Sequence, residues 1–445
     1  MGQQRERFDI AVVGGGAAGI AASVAAARQG ASVCLVEAST RIGGAATNAH
    51  VGTICGLSLC GEGLATTPEL NNPGFASELA SLIAARSHTR LIRNEMGLAY
   101  LPYVPSGFES AAVALLAATP GVTLALSTRL VAAQRPLPDG DFLLSTEDSS
   151  RKARAIACRC CVDCSGDSLV SALLSVPTLD AAIPQASAQV FLLGGLPPLD
   201  EPLLGLTIRK ALREAALCGS LPDNASYVSL VSGSLRNGSV LCKLGLLPGA
   251  SPEQASSSIQ LLVAHLRSHV TALSGLELLS LAPSVGVRGG RRGVGRETLS
   301  EHAITASARS SEGVALGFWP MELWDSPARP KMLVSERPAP YEIPLGALCS
   351  AHLPGLYFAG RGISATDHAI ASARVIGTCF STGFAAGRAA VGEVRREGER
   401  LVIAELRRLQ VEPFYSPKAG DSGTTGVFEH EPGADKNRRD TSALA

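Results

Sequence analysis

FDIAVVGGGAAGIAASVAAARQG, residues 8–30, is the stretch from which the architecture can be worked out. Its first six residues are apolar or β-branched apart from Asp9, the composition of a buried strand. Glycines interrupt the run, and small apolar residues then recur at helical spacing as far as Gly30, a helix stop. Strand, tight turn and helix in this order open a doubly wound α/β unit. Gly14, Gly16 and Gly19 supply GxGxxG. The first permits the turn, the second lets backbone approach a pyrophosphate, and the third lets helix and strand pack closely. Ala17 and Ala18 open the helix, where unpaired N–H groups and the positive dipole end can face an anion. A second strand, ASVCLVEA, ends in Glu37 and Ala38. Glu37 stands 21 positions after Gly16, where a carboxylate can meet ribose hydroxyls. The pattern predicts a dinucleotide site; structural glycines without a ligand are the plain alternative.

The chain has 445 residues, room for two domains or one large one. Lys+Arg and Asp+Glu both number 39, so neither nucleic acid nor an anionic membrane is expected as a partner. Glycine-rich turns break the apolar runs before any reaches the roughly 20 residues that span a bilayer. The polar lead before Phe8 lacks the pattern of a secretory signal. A cytoplasmic protein with reduced thiols is expected, and a homo-oligomer is compatible with it. Gly, Ser, Thr, Asp and Pro crowd the last residues, so 413–445 reads as a disordered tail.

After Ala38 the chain continues STRIGGAATNAHVG. This resembles the extension found in FAD proteins of the glutathione-reductase-like superfamily. The resemblance implies that Arg41, Gly43, Gly44, Ala45 and Thr47 follow the FAD pyrophosphate toward the flavin.

Cys158, Cys160, Cys161 and Cys164 crowd into CRCCVDC, residues 158–164. Zinc would need the four sulfurs to converge around one ion, and a strand with its rise of about 3.3 Å per residue forbids that. Turn signals divide VTLALSTRLVAAQR, PLPDGDFLLSTEDSS and RKARAIACRCCVDCSGD into three successive strands, a β-meander. In the superfamily just named such a meander joins two parts of the FAD domain, and its exit strand turns against the cofactor. Cys164, Ser165, Gly166 and Asp167 fill that turn, and Leu130, in the first of the three strands, counts with the cofactor contacts. Buried strand thiols are therefore favoured; a metal or persulfide site and a Cys161–Cys164 redox pair stay open. Cys55 and Cys60 fit a dithiol pair only loosely.

Farther on, GLYFAGR reads as a strand ending in a glycine turn, and ASARVIGTCFSTGFAAGRAA as a helix of small residues. Together with LSLAPSVGVRGGRRGVGRETLS and PYEIPLGAL, these resemble segments of the FAD-dependent oxidoreductases of the FAD_oxidored type, distant kin of the fumarate reductase flavoproteins. The resemblance runs from about Phe8 to Ala390. It implies an α/β fold: a Rossmann-like FAD-binding domain of parallel sheet plus β-meander, with an inserted α+β substrate domain. The FAD domain would comprise 1–180 and 340–395, the cap 181–339, and a C-terminal helix 396–412. Gly360 and Arg361 would contact the cofactor, and Arg374, Val375 and Thr378 would line the flavin. His50 follows the glycine pair, whereas the fumarate reductase relatives carry their linking histidine before it, so non-covalent FAD is expected. Two departures stand out. The family's Ser-Ala-Thr-His-Glu-Ala is here SATDHA, and its Pro-x-Asp-x-His is here the Pro-Met-Glu-Leu-Trp of WPMELW, with Glu322 in the acidic place.

Candidate chemistry lies in these same segments. His368 and Asp367 are the acid/base candidates, since an imidazole exchanges protons near neutrality. Arg288 and Arg292 of VRGGRRGVGRE are candidate cations for a carboxylate or the reduced flavin, with a solvated loop as the alternative. Glu322 completes the catalytic set. No metal is expected. The function expected is hydride transfer between a small organic substrate and flavin N5, with dehydrogenase or oxidase chemistry favoured over reduction. The electron donor or acceptor is not named by the sequence, which has no second GxGxxG in strand context for a nicotinamide. The alternatives are a flavin monooxygenase or halogenase, and a non-catalytic FAD-binding subunit.

Overall fold

The computed structural model describes residues 5–137, 140–335 and 338–416. Residues through Phe414 form one compact unit, and of the second, beginning at Tyr415, only Tyr415 and Ser416 are described. The tail expected from 413 onward thus lies almost wholly outside the described residues.

A seven-stranded sheet organises the cofactor side. Strand β1, Arg5–Val13, leads through the glycine turn into helix α1, Ala17–Arg28, and back into β2, Val33–Val36, which lies parallel to β1. β3 is Val122–Ala125, β4 Thr128–Gln134, β5 Phe142–Asp148 and β6 Ala153–Asp163. The order across the sheet is β3-β2-β1-β6-β5-β4. The sequence suggested one strand over VTLALSTRLVAAQR, and the structure divides it. Ser127 adopts φ +51°, its N–H bonds the Ser39 carbonyl, and the turn separates β3, parallel to β2, from the meander β4-β5-β6.

The cysteine-rich segment is strand β6, at the heart of the sheet. It pairs in parallel with β1, placing Ala11 beside Cys161 and Val13 beside Asp163. Its residues alternate across two cores. Cys158 and Cys161 pack with Phe142 and Phe358, whereas Cys160 and Cys164 pack with Ile20 and Phe380. The C-x-x-C pair is thereby split between opposite sides of the sheet. Burial pushes the Cys160 thiol up to about 12, which keeps it protonated and unreactive.

The middle of the chain builds a second, antiparallel sheet from β7 (Ser187–Gly194), β8 (Val228–Leu230), β9 (Val240–Leu246) and β10 (Glu277–Leu281), in the order β8-β9-β7-β10. Helices α2, Glu201–Leu217, and α3, Pro252–His269, share its apolar core through Leu204, Ile208, Ile259 and Leu262. Both starts are signalled locally. Asp200 accepts from the Leu203 N–H at 2.7 Å, and Ser251 with Gln254 forms a capping box; proline stands in the first turn of each helix, Pro202 at the second position and Pro252 at the first.

The chain then returns to the first sheet. β11, Leu356–Phe358, pairs in parallel with β6, setting Phe358 beside Asp163. Helix α4, Asp367–Ala373, bends by 96° into α5, Ile376–Arg395, and α6 is Glu399–Gln410. α5 lies against α1 through its glycines: a Cβ on Gly383 would fall 2.2 Å from the Ala18 carbonyl oxygen. No single described helix is long and apolar enough to cross a membrane.

Candidate active site

β1, β6 and β11 run in parallel and end together, so the turns after Val13, Asp163 and Phe358 meet at one edge. That is where open α/β sheets bind ligands. Each turn is built for close approach. Gly14 has φ +102°, and a Cβ there would stand 2.5 Å from the Cys164 carbonyl oxygen; one on Gly19 would meet the Gly14 oxygen at 1.8 Å. The buried Asp163 carboxylate shapes the second turn, accepting from the Ser165 hydroxyl at 2.6 Å and N–H at 3.0 Å, and from the Val170 N–H at 2.8 Å. Gly360, φ +66°, begins the third, and its Cβ would meet that of Ala18 at 3.1 Å. The N–H groups of Ala17, Ala18 and Gly19 precede the first bond of α1, from Ile20 N–H to the Gly16 carbonyl, and so point outward.

The loop from Glu37 to Thr47 folds onto these turns. Glu37 accepts from the Gly15 N–H at 2.6 Å, and the Gly43 N–H bonds the Gly15 carbonyl at 2.8 Å. Gly44, φ +56°, approaches so closely that its Cβ would stand 2.8 Å from the Gly16 Cα. Thr47 donates to the Ile42 carbonyl and braces the loop. Ala38 lies exposed at the loop's start. The Arg41 guanidinium is engaged by Glu109 at 2.6 Å, and Leu130 is buried in the core behind the meander. Asp167 faces outward and binds the Arg291 N–H.

Beside the turns opens a cavity of about 310 Å³. Its lining joins Ala45, Ala49, Arg361, Arg374, Val375 and Ile376 of the cofactor side to Ala188, Val190 and Lys243 of the second sheet, with Arg288 after it. Trp319, Glu322 and Trp324 close a side. Helix α5 begins here. The N–H groups of Ile376, Gly377 and Thr378 precede its first bond, from Cys379 N–H to the Val375 carbonyl, and the buried Thr378 hydroxyl has no partner among the described residues.

Charge defines the cavity. Glu322 accepts from both indoles, Trp319 at 2.9 Å and Trp324 at 2.8 Å. Burial alone would raise this carboxyl, but Arg374, the Trp319 N–H, Lys243 and Arg288 together hold it below the usual range. The Arg288 guanidinium lies 3.9 Å from the centre of the Trp324 ring and the Lys243 ammonium 4.9 Å from it. Burial, with Arg374 nearby, pushes Arg288 down to about 9, and burial lowers Arg361, Arg374 and Lys243 too.

Of the five catalytic candidates read from sequence, the fold brings Arg288 and Glu322 into the cavity wall. Asp367, His368 and Arg292 are not among its lining residues. Asp367 is held by Arg292 at 2.6 Å and accepts from the Ala182 and Ile183 N–H groups, while Arg292 also binds the Ala365 carbonyl. His368 opens α4 near the Glu301 carboxylate. Each Glu322 oxygen accepts one indole N–H, so the carboxylate anchors both tryptophans. The cavity is also lined by Lys243, Tyr100 and Ser232, none of which stood out in the sequence. The signal for the first was one charge in the apolar strand VLCKLGL.

The sequence matches the family described as FAD dependent oxidoreductase over residues 9–194 and 223–410, most of its length. The chain belongs to that family. It is an FAD-dependent oxidoreductase with an FAD-binding, Rossmann-like fold, and FAD is its cofactor. The site fits that group: backbone replaces side chains where Gly14, Gly16, Gly19 and Gly44 crowd together, and helix-start N–H donors face the turns. Gly166 lies against the Arg361 guanidinium, and Gly360 against Ala18. Among solved structures, flavoprotein/dehydrogenase from Cytophaga hutchinsonii is similar at 12% identity and TM-score 0.47, over 91% of this chain and 83% of that one. The p-nitrophenol 4-monooxygenase PnpA from Pseudomonas putida DLL-E4 is 11% identical, over 90% and 84%, with TM-score 0.45. Glycine oxidase from Geobacillus kaustophilus is 12% identical, over 88% and 96%, with TM-score 0.42. No curated protein matches the chain.

Proposed function

We propose that the protein oxidises a small organic substrate in the cavity beside the glycine turns, the substrate giving up a hydride to flavin N5 and a proton to the surroundings. FAD supplies the hydride-accepting ring when bound. The observation that carries this is the joint wall: Ala45, Ala49, Val375 and Ile376 come from the cofactor-binding segments, and Val190, Lys243 and Arg288 line the same space. The protein's share is to orient the substrate and exclude water, which the buried Trp319 and Trp324 and the apolar Leu98 and Val231 serve. Donors at the α5 start favour negative charge on that side, as reduction produces it. Residues 1–180 with 340–395 form the FAD-binding part and 181–339 the substrate-binding part. With no second GxGxxG in strand context, electrons leave to oxygen or a separate acceptor.

The test is purification of the holoenzyme followed by anaerobic addition of candidate alcohols, amines and acids. Bleaching of the flavin's visible absorbance by one of them, restored by air or an added acceptor, is the expected result. Bleaching only by an external reductant, with reoxidation by a candidate substrate, would reverse the proposed direction. A chain that takes up no FAD would sink the proposal altogether.

A further inference from the structure

Four cations, Lys243, Arg288, Arg361 and Arg374, line the cavity, and Glu322 is the only carboxylate among its lining residues. Both oxygens of that carboxylate are already bonded to indole N–H groups. None of the four cations forms an ion pair with a carboxylate among the described residues. Arg288 donates to the Ala186 carbonyl, Arg361 to the Val287 carbonyl and Arg374 to the Glu322 carbonyl, all neutral acceptors; the Arg374 Nε is buried without any. Elsewhere this chain pairs its buried cations with acids. Arg292 meets Asp367 at 2.6 Å, and Arg388 meets Glu397 at 2.7 Å and Glu405 at 2.6 Å. Glu322 offsets only part of the charge of four cations, and excess positive charge in a partly desolvated space is unfavourable, so its concentration in one cavity marks a place where an anion completes the site.

The cations come from two parts of the chain. Arg361 and Arg374 follow β11, Arg361 beside Gly166 of the second turn, near where FAD, itself an anion through its phosphates, is taken. Lys243, in β9, and Arg288, after β10, come from the second sheet and the segment after it, within 5 Å of the same Trp324 ring centre at 4.9 and 3.9 Å. We infer that the substrate is a small carboxylate, its anionic group held by Lys243 and Arg288 beside Trp324. A guanidinium presents two parallel donors to a carboxylate, and the ammonium adds a third. The rest of the molecule would meet Leu98, Val190, Leu230 and Ile376, an apolar surface. The inference rests on the assignment of this cavity as the substrate site.

The test titrates the oxidised holoenzyme with benzoate, with neutral benzamide of the same outline, and with inorganic phosphate, following the flavin absorbance. Benzoate is expected to bind at least about tenfold more tightly than benzamide and than phosphate. Lys243→Met and Arg288→Met should each erase most of that preference while leaving benzamide affinity in place; Arg288→Lys should retain part of it. Lys210→Met, on exposed α2, should retain all of it. FAD content and melting temperature are recorded for each variant, and the charge-retaining Arg288→Lys carries the test where a methionine variant does not fold. Equal binding of benzoate and benzamide would overturn the inference. So would tighter binding of phosphate, or an unchanged preference in the variants. Absence of a shift with benzoate, acetate or pyruvate up to about 20 mM would do the same. A chain without bound FAD overturns the functional proposal instead. The anion preference is then read from tryptophan fluorescence, because the chain has two tryptophans and both line this cavity.

Discussion

Replacing Glu322 by glutamine should destabilise the protein and change its tryptophan emission, and the size of the loss follows from the two indole bonds. Hydrogen bonds to a charged acceptor contribute about 1.5–3 kcal/mol each, neutral ones about 1 kcal/mol. The carboxylate accepts Trp319 at 2.9 Å and Trp324 at 2.8 Å, one indole per oxygen. Glutamine has one acceptor oxygen, so it keeps one bond in weakened form and turns an amide N–H toward the other indole N–H. The loss expected at pH 7 is about 3 kcal/mol. The pH dependence has a definite sign. The folded carboxyl lies below the ordinary 4.5 that it regains on unfolding. Its stabilisation is complete above that value and is lost as pH falls through the lower folded one. Wild type and Glu322→Gln should therefore converge in stability on acidification. The assay is urea unfolding followed by tryptophan emission, which in this chain comes from these two residues alone. A difference at pH 7 within about 0.5 kcal/mol, with unchanged emission, would refute the two-bond reasoning. A gap that persists below the carboxyl's titration would refute its electrostatic part.

Gly19→Ala would drive a Cβ to 1.8 Å from the Gly14 carbonyl oxygen, so the turn must open; the visible-to-ultraviolet absorbance ratio of the purified protein should show most of the FAD lost. Arg292→Met leaves the Asp367 carboxylate without its cation, 14% exposed. Stability should fall by about 3–5 kcal/mol in denaturant unfolding, while folded protein keeps the affinity for benzoate; a selective loss of that affinity would return the pair to the active site. Ellman's reagent should find one fast thiol in the native protein, abolished by Cys218→Ser, because Cys218 is exposed and the Ser220 hydroxyl lowers its thiol. The three thiols of β6 and Cys164 just after it should react no faster than the protein unfolds, and rapid labelling of Cys161 or Cys164 would contradict their burial.

The cofactor side was legible because its requirements are local. A turn that admits no Cβ must be glycine, and a strand between turn signals declares itself in a few residues, so GxGxxG, the Gly43–Gly44 pair and the cysteine strand could each be read in isolation. The split at Ser127 escaped because VTLALSTRLVAAQR has strand composition throughout; only the docking of that turn onto Ser39 divides it. The cavity wall was legible only in part: Arg288, Glu322 and Arg374 stood out one by one, but they lie far apart in sequence, and nothing near Lys243 says that its strand joins them around one space. SATDHA is a different case. Likeness to a family motif singled out Asp367 and His368, whereas the fold ties Asp367 to Arg292 and two backbone N–H groups and leaves neither residue among those lining the cavity. A motif says what a residue can do; the folded surroundings say what it is bonded to. On the proposed reading, Lys243 and Arg288 are where substitution should tell on the substrate. A variant series there should alter substrate affinity before it alters FAD content.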